Sequence, residues 1–367
     1  MQPSVLEELV PVPNPYPVVS DVEYPEVWRL CEESRRLAWD PATCIDFSDL
    51  VNADLPAQVR AAGAEWWSLR AWMEHGATPY GAERLREAIF GHQPFEIKQH
   101  ITNFIAEELR HHEVSFRIAN ALGGYQPTPR ADYFQQVIPR FHDERDEKQM
   151  SFFAGLSVNT LFEQLSGELL QARYENARFA SIREACRLVL RDEARHIQFG
   201  RIIMRRFFGD LSADEKRVIG VKFAKKLRGS LLSGVYAVVN LPDGERERSG
   251  RSRALAAEYG LGATHPDVEI DIIRVGVDKI REDVGQYGVE IPHIPEIDDN
   301  RPTILPQGGG GLLLFSLLQM APCESVSRLT AAATALNSAA LAPPVVRPLV
   351  VWCRLVPATC VADSGSP

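Results

Sequence analysis

Positive charge is in deficit in this 367-residue chain. Forty Lys and Arg face 49 Asp and Glu, a formal net charge of −9 at pH 7, which argues against a nucleic-acid binder and against docking on an anionic membrane. Cysteine is sparse. Cys31, Cys44, Cys186, Cys323, Cys353 and Cys360 are scattered with no C-x-x-C pair, so the pattern indicates neither a zinc site nor a disulfide framework. The longest apolar run, Gly311 to Ala321, falls short of the roughly 20 residues that span a bilayer. The first residues, Met1-Gln2-Pro3-Ser4 and then Glu7 and Glu8, have no basic n-region or apolar h-region; no secretory signal is expected, and cytoplasm is the expected location. No Gly-rich nucleotide-binding loop follows a strand-like segment.

Charge is also missing from one end. Residues 301–367 carry six charged side chains (Arg301, Glu324, Arg328, Arg347, Arg354 and Asp363) in 67 positions, whereas the first 300 residues carry the other 83. Only the first part reads as the surface of a folded protein, and the tail, which runs on from Gly308-Gly309-Gly310-Gly311, is expected to be disordered. Residues 1–25 hold six prolines and read as an extended arm. A first helix is expected from Pro25 to Trp39. Further helices are expected at 56–75 with a continuation at 82–90, then at 95–122, 144–178, 182–208 and 213–240. Pro94 suits the first helical position of its segment and Gly123-Gly124 its end; Ser181 with Glu184 and Ser212 with Glu215 both fit a capping box. After Pro242 the chain turns polar, and one more amphipathic helix is expected at 266–287. The expected organisation is an arm with a first helix (1–50), an all-α bundle of long antiparallel helices (51–241), a helical extension (242–300) and the tail (301–367).

The chemistry lies in two copies of one phrase. Glu107-Glu108-Leu109-Arg110-His111 and Asp192-Glu193-Ala194-Arg195-His196 both read acid-Glu-x-Arg-His. Residues three apart share a helical face, so the Glu and His of each copy can grip one ion. Thirty Glu and nine His predict about 0.7 chance copies of Glu-x-x-His, so the motif alone proves little and the shared flanks carry the signal. A third copy, Glu290 to His293, contains a proline in the exit segment and is set aside.

Height along antiparallel helices selects the remaining carboxylates. About the turn at His92-Gln93, Glu74 balances Glu108, whereas Glu65 would sit about 15 Å too far at 1.5 Å per residue. The helix then has to kink or unwind beyond Glu74, at Gly76, Pro79 and Gly81. About Ala180, Glu163 and Glu168 are both compatible with Glu193; Glu163 preserves the pseudo-twofold relation, with Glu-to-Glu spacings of 34 and 30 residues. Glu107 and Asp192 are expected to accept hydrogen bonds from the ligand imidazoles. His112 and His75 are weaker ligand candidates, Trp66, Trp67 and Trp72 read as core, and Glu113, Glu144 and Glu147 as solvated helix faces.

Glu74, Glu108-x-x-His111, Glu163 and Glu193-x-x-His196, within "EELRHHEV" and "DEARHIQFG" and preceded by Trp39-Asp40-Pro41-Ala42-Thr43-Cys44-Ile45-Asp46, resemble the ferritin-like di-iron carboxylate superfamily. The resemblance is to its oxygenase and oxidase branch, distantly including the arylamine N-oxygenases. It covers roughly residues 39–210 and not the tail. It implies a ferritin-like four-helix bundle with extra N- and C-terminal helices, two Fe (Fe2+/Fe3+, with manganese in one position an alternative) and O2 as co-substrate. It also implies a small organic substrate that is hydroxylated or N-oxygenated, an external electron donor such as a reductase or ferredoxin-like carrier, and no catalytic residue separate from the metal ligands. A homodimer is compatible with it. A desaturase or peroxide-releasing oxidase, and a non-catalytic metal-binding bundle, are the alternatives. Ser115 stands where a radical subunit of ribonucleotide reductase would carry Tyr, and Val189 where the N-oxygenases carry a third His. Asn159, Thr160, Ser166, Gly167 and Gly200 are expected either to leave room on the ligand faces or to serve close packing, with Thr160 beside the ligands and Phe104, Phe162 and Phe199 as an apolar wall.

Overall fold

A computed structural model describes residues 15, 16, 18, 20–128 and 151–299, and every regular element among them is helical. In chain order these are α1 (Pro25–Arg36), α2 (Ser48–Val51), α3 (Ala57–Phe90), α4 (Phe95–Ala121), α5 (Phe152–Asn176), α6 (Ala180–Phe207), α7 (Ala213–Lys226), a π-helical segment (Leu227–Val235), α8 (Asp243–Glu258), α9 (Pro266–Gly285) and α10 (Pro295–Asp298). The expected tail and most of the arm lie outside the described residues, as do Glu144 and Glu147. No helix among those described is long and apolar enough to cross a membrane.

The core is a pair of helical hairpins, α3–α4 and α5–α6, each closed by a few residues and therefore antiparallel. On α4, Ile97, Ile101, Phe104, Glu108, His111, Ser115 and Ile118 recur at alternating steps of four and three and are all buried. On α6 the same steps pick out Ile182, Cys186, Val189, Glu193, His196, Gly200 and Ile203, again all buried. That spacing keeps one face inward along a whole helix. Two apolar layers result. Trp66, Trp67, Val114, Ile118, Leu170, Ile182 and Leu188 pack at one end of the bundle. Ala88, Ile97, Ile101, Leu156, Phe199 and Ile202 pack at the other, with Val27 and Leu30 of α1. Each fully buried Leu, Ile or Phe contributes about 1.5–3 kcal/mol. The polar members of the stripes lie between the layers. A third apolar cluster joins Leu161, Leu165 and Leu169 of α5 to Ile273, Val277 and Ile280 of α9, which mounts the C-terminal helices on the bundle.

Several local expectations need correction. The helix through Glu74 does not unwind: α3 runs unbroken for 34 residues with Pro79 inside it. Pro79 lacks the N–H that would bond to the His75 carbonyl one turn back, and the Thr78 hydroxyl donates to that carbonyl at 2.8 Å instead. Gly81 lets α4 come close, since a Cβ there would meet Ile105 Cγ1 at 2.6 Å. Pro94 is the N-cap of α4 rather than its first helical residue. The Ser181–Glu184 capping box does not form, because α6 starts at Ala180 and the Ser181 N–H is taken by the Asp49 carboxylate at 3.1 Å. The Ser212–Glu215 box does form. The expected helix 213–240 ends as α7 and then widens into the π segment, whose helical backbone breaks at Ser233 and Gly234 (φ +106°), where Arg253 donates to the Gly234 and Tyr236 carbonyls. Residues 243–258, polar in sequence, form α8.

Of the two readings of Gly200, close packing is the one that holds. A Cβ at that position would fall 2.3 Å from Thr160 Cβ, so α5 and α6 meet there. Gly200→Ala should lower the stability by about 1–3 kcal/mol, the usual cost of overpacking. An unchanged denaturation midpoint would show that the helices are not in contact at this level.

Candidate metal centre

The four long helices bring all six sequence-predicted ligands together at mid-height. One oxygen or nitrogen from each of Glu108, Glu163, Glu193 and His196 lies within 4.8 Å of the others, and Glu74, His111 and Glu193 form a second such group. Glu193 belongs to both. Each hairpin supplies one Glu from its first helix and a Glu-x-x-His pair from its second, so the groups are related by the same pseudo-twofold as the hairpins.

The imidazoles are held crosswise. His196 of α6 directs Nε2 to Glu107 of α4 at 2.8 Å and Nδ1 inward, 3.2 Å from Glu193 and 3.5 Å from Glu108. His111 of α4 directs Nε2 to Asp192 of α6 at 3.3 Å, with Nδ1 inward, 3.5 Å from Glu193. Glu107 and Asp192 thus occupy the supporting positions expected of them. Three partners were not anticipated. Arg195 bonds to both supporting carboxylates, Ser34 donates to Glu107 at 2.7 Å, and Trp39 Nε1 donates to Asp192 at 2.8 Å. The Arg shared by the two phrases was the available signal for the first; nothing local in the sequence pointed to the contacts from the N-terminal segment.

Charge is balanced outside the cluster and unbalanced within it. His196 and Arg195 hold the Glu107 carboxyl down to about 2 against the upward push of burial, and His111 and Arg195 hold Asp192 lower still. Of the four inner carboxylates, Glu74 is paired with Arg70 of its own helix, and Glu163 accepts from the Asn159 amide at 3.2 Å and shares a hydrogen bond with Glu193. Burial, then Glu193 and Glu163 nearby, pushes Glu108 well above the usual carboxylate range; burial and Glu193 do the same to Glu163. Glu193 goes the other way: against burial, the bond and charge of His196, with His111 and the Glu163 bond, together hold it below the ordinary value. Against burial, Glu107 and Glu193 together raise the His196 imidazole well above its ordinary value. His111 Nδ1 is buried with no hydrogen-bond partner. A hard-oxygen and imidazole donor set with excess negative charge and an orphaned ring nitrogen fits two divalent transition-metal ions.

The remaining candidates lie elsewhere. Glu168 pairs with Lys279 of α9 at 2.5 Å, which leaves Glu163 as the α5 carboxylate at the cluster. Height could not separate them; the rotation about the helix does. His112 bonds through Nδ1 to the Ala71 carbonyl at 2.8 Å, which ties α4 to α3, and its ring lies tilted 5.4 Å from that of the exposed His75. Trp66 and Trp67 are core residues bonded to the Gly262 and Leu261 carbonyls, and Trp72 is bonded to that of Gln126. Ser166 pairs with Tyr236. Phe162 is not a wall of the site, because it stacks on Phe223 at 4.9 Å on the far side of α5. Phe104 and Phe199 do form such a wall. With Ile101 and Leu156 they line a small, half-open cavity of about 30 Å³ whose lining also includes Glu163 and His196. Thr160 also lines it, its hydroxyl bonded to the Ser157 carbonyl at 2.8 Å.

Two measurements test this geometry. Glu107→Gln should weaken metal binding about 10–100-fold, the usual effect of removing a carboxylate behind a ligand His; an unchanged metal titration would mean that Glu107 does not orient His196. Glu108, Glu163 and His196 all hold protons above their ordinary pKa, and each must lose its proton to bind metal. Metal affinity should therefore rise with pH from the acid range towards neutrality, with protons released on binding. Calorimetry in buffers of different ionisation enthalpy reads that release, and a pH-independent affinity would refute it.

No protein-family profile matches the chain, and no curated protein does. Solved structures do match. An R2-like ligand-binding oxidase variant with an aerobically reconstituted Mn/Fe cofactor aligns with TM-score 0.53 and 19% identity over 71% of this chain and 94% of that one. Another variant of that oxidase, with an Fe/Fe cofactor, aligns with TM-score 0.52 and 19% identity over 71% and 93%. The same oxidase after photoconversion of its aerobically reconstituted metal cofactor gives 0.52 and 19% over the same shares. At such identity the likeness establishes architecture, and this chain has the ferritin-like helical bundle fold that those oxidases share.

Proposed function

We propose that this chain is an O2-dependent dimetal oxidase or oxygenase that hydroxylates or N-oxygenates a small organic molecule. The observation that carries the reading is the apolar cavity ending on Glu163 and His196, two members of the candidate ligand set. A purely structural metal site has no use for such an opening. Two irons, or one manganese and one iron, fit the donors equally, and both pairs occur in the similar oxidases. When bound, such a pair supplies the reduction of O2. One oxygen atom then enters the substrate and the other leaves as water, with two electrons from a reductase or ferredoxin-like carrier.

The chain's own part is positioning and exclusion. Its six donors fix the ions, and Glu107 and Asp192 fix the imidazoles. The apolar layers above and below keep water from the buried carboxylates. His100 extends the cavity wall, stacked on Phe199 at 3.9 Å; burial lowers its pKa to about 3, so at neutral pH it presents an uncharged ring.

Purified protein loaded with Fe(II), or with Mn(II) and Fe(II), should hold about two ions per chain and consume O2 in a single turnover, and Glu108→Ala and His196→Ala should do neither. Label from 18O2 in the product separates an oxygenase from a desaturase or a peroxide-releasing oxidase. Absence of metal, with unchanged thermal stability in both variants, would sink the proposal.

A further inference from the structure

The two groups of donors are alike in chemistry and unequal in charge. The group around His196 contains three carboxylates, Glu108, Glu163 and Glu193; the group around His111 contains two, Glu74 and Glu193. One of those two is already answered, because the Arg70 guanidinium pairs with Glu74 across one turn of α3. Among the described residues no guanidinium is paired with Glu108, Glu163 or Glu193. Lys226 of α7 is half-buried and lies 3.4 Å from the Asn159 amide oxygen, one side chain removed from Glu163.

A surface arginine would turn into water when an ion takes its carboxylate. Arg70 has no such exit. It is 6% exposed, its guanidinium lies 5.2 Å from the centre of the Tyr236 ring and bonds to the hydroxyl of that residue, and Nη1 meets Met73 Sδ at 3.2 Å. Tyr236 is fixed in turn through its hydroxyl, which bonds to Ser166. The Arg173 guanidinium lies 5.2 Å from the same ring, where it repels Arg70 and is itself held by Glu269 of α9 at 3.2 Å. The positive charge beside Glu74 therefore stays where it is whatever else binds that carboxylate. A fixed positive charge about 5 Å from a cation costs more than tenfold in affinity, even at an effective dielectric of about 20.

We propose that Arg70 makes the Glu74–His111 position the second and weaker of the two to be filled, so that the chain holds one ion at Glu163 and His196 before it holds a pair. Loading then has a threshold. At low metal supply the chain rests with one ion, and chemistry that needs two waits for the second. This inference rests on the two-ion reading of the cluster and not on the oxidation assigned to it.

Calorimetric titration of the full chain, stripped of metal, with Co(II) in the absence of O2 should give two steps. Repulsion between two ions would split even equal positions, so the identity of each step decides. Glu163→Gln should weaken the first step about tenfold or more. Arg70→Gln combined with Glu74→Gln leaves the net charge as it was, and should keep the first step and abolish the second. Arg70→Gln alone should strengthen the second step about tenfold or more, and Arg70→Lys should not. Thermal midpoints show which variants are folded, and the comparison of Glu163→Gln with the wild type stands where the Arg70 variants do not fold. A first step that Glu163→Gln leaves unchanged, a first step lost in the double variant, or a second step indifferent to Arg70→Gln would overturn the assignment while two ions still bind. A chain that takes up no ion would overturn the two-ion reading along with it.

Discussion

Burial of four glutamates at the centre of a helical bundle is the constraint around which this molecule is arranged. Unpaired carboxylates in that setting cost several kcal/mol each, and the fold meets the cost in layers. Arg70 answers Glu74, the imidazoles answer Glu193, and a wider ring of Arg195, Ser34 and Trp39 answers Glu107 and Asp192. The apolar stripes above and below lock the register that lets those pairs meet. A slip of one turn on α4 or α6 would put Phe104 or His111, and Val189 or His196, where the inward carboxylate stands and break the crossed pairs.

Much of this was legible because helical spacing is rigid. Steps of three and four fixed which faces turn inward, the paired acid-Glu-x-Arg-His phrases located the cluster, and distance from the turns chose Glu74 over Glu65. What escaped depended on contacts between residues far apart in sequence. Glu163 and Glu168 sit at compatible heights, and the cluster takes Glu163 while Glu168 turns to Lys279 on α9. Asp49 caps a helix that begins 131 residues later, which no local capping rule describes. The reach of Arg253 into the end of the π segment, and the hydroxyl of Thr78 covering the carbonyl exposed by Pro79, likewise belong to tertiary structure. Polar sequence at 243–258 concealed α8 because few of its residues are buried.

The N-terminal segment has a larger share in the centre than its position suggests. Glu96 at the start of α4 accepts from the Glu23 and Tyr24 backbones, which fastens the start of α1 to the bundle. Ser34 and Trp39 then deliver their hydrogen bonds to opposite supporting carboxylates. The segment is thus a strap whose polar side chains finish the cluster from outside.

The pseudo-twofold is broken at one place that matters. On one side the terminal carboxylate, Glu74, shares its charge with the fixed guanidinium of Arg70; on the other, Glu163 meets the neutral Asn159 amide and the Glu193 carboxyl, with no guanidinium of its own helix paired to it. The two halves of the cluster therefore differ through α3 and α5, although α4 and α6 offer near-identical donors. The Glu163 half carries a carboxyl that burial and Glu193 raise well above its ordinary range, and it is the half that faces the cavity. Sequence symmetry would make the halves twins; the contacts of Glu74 and Glu163 do not.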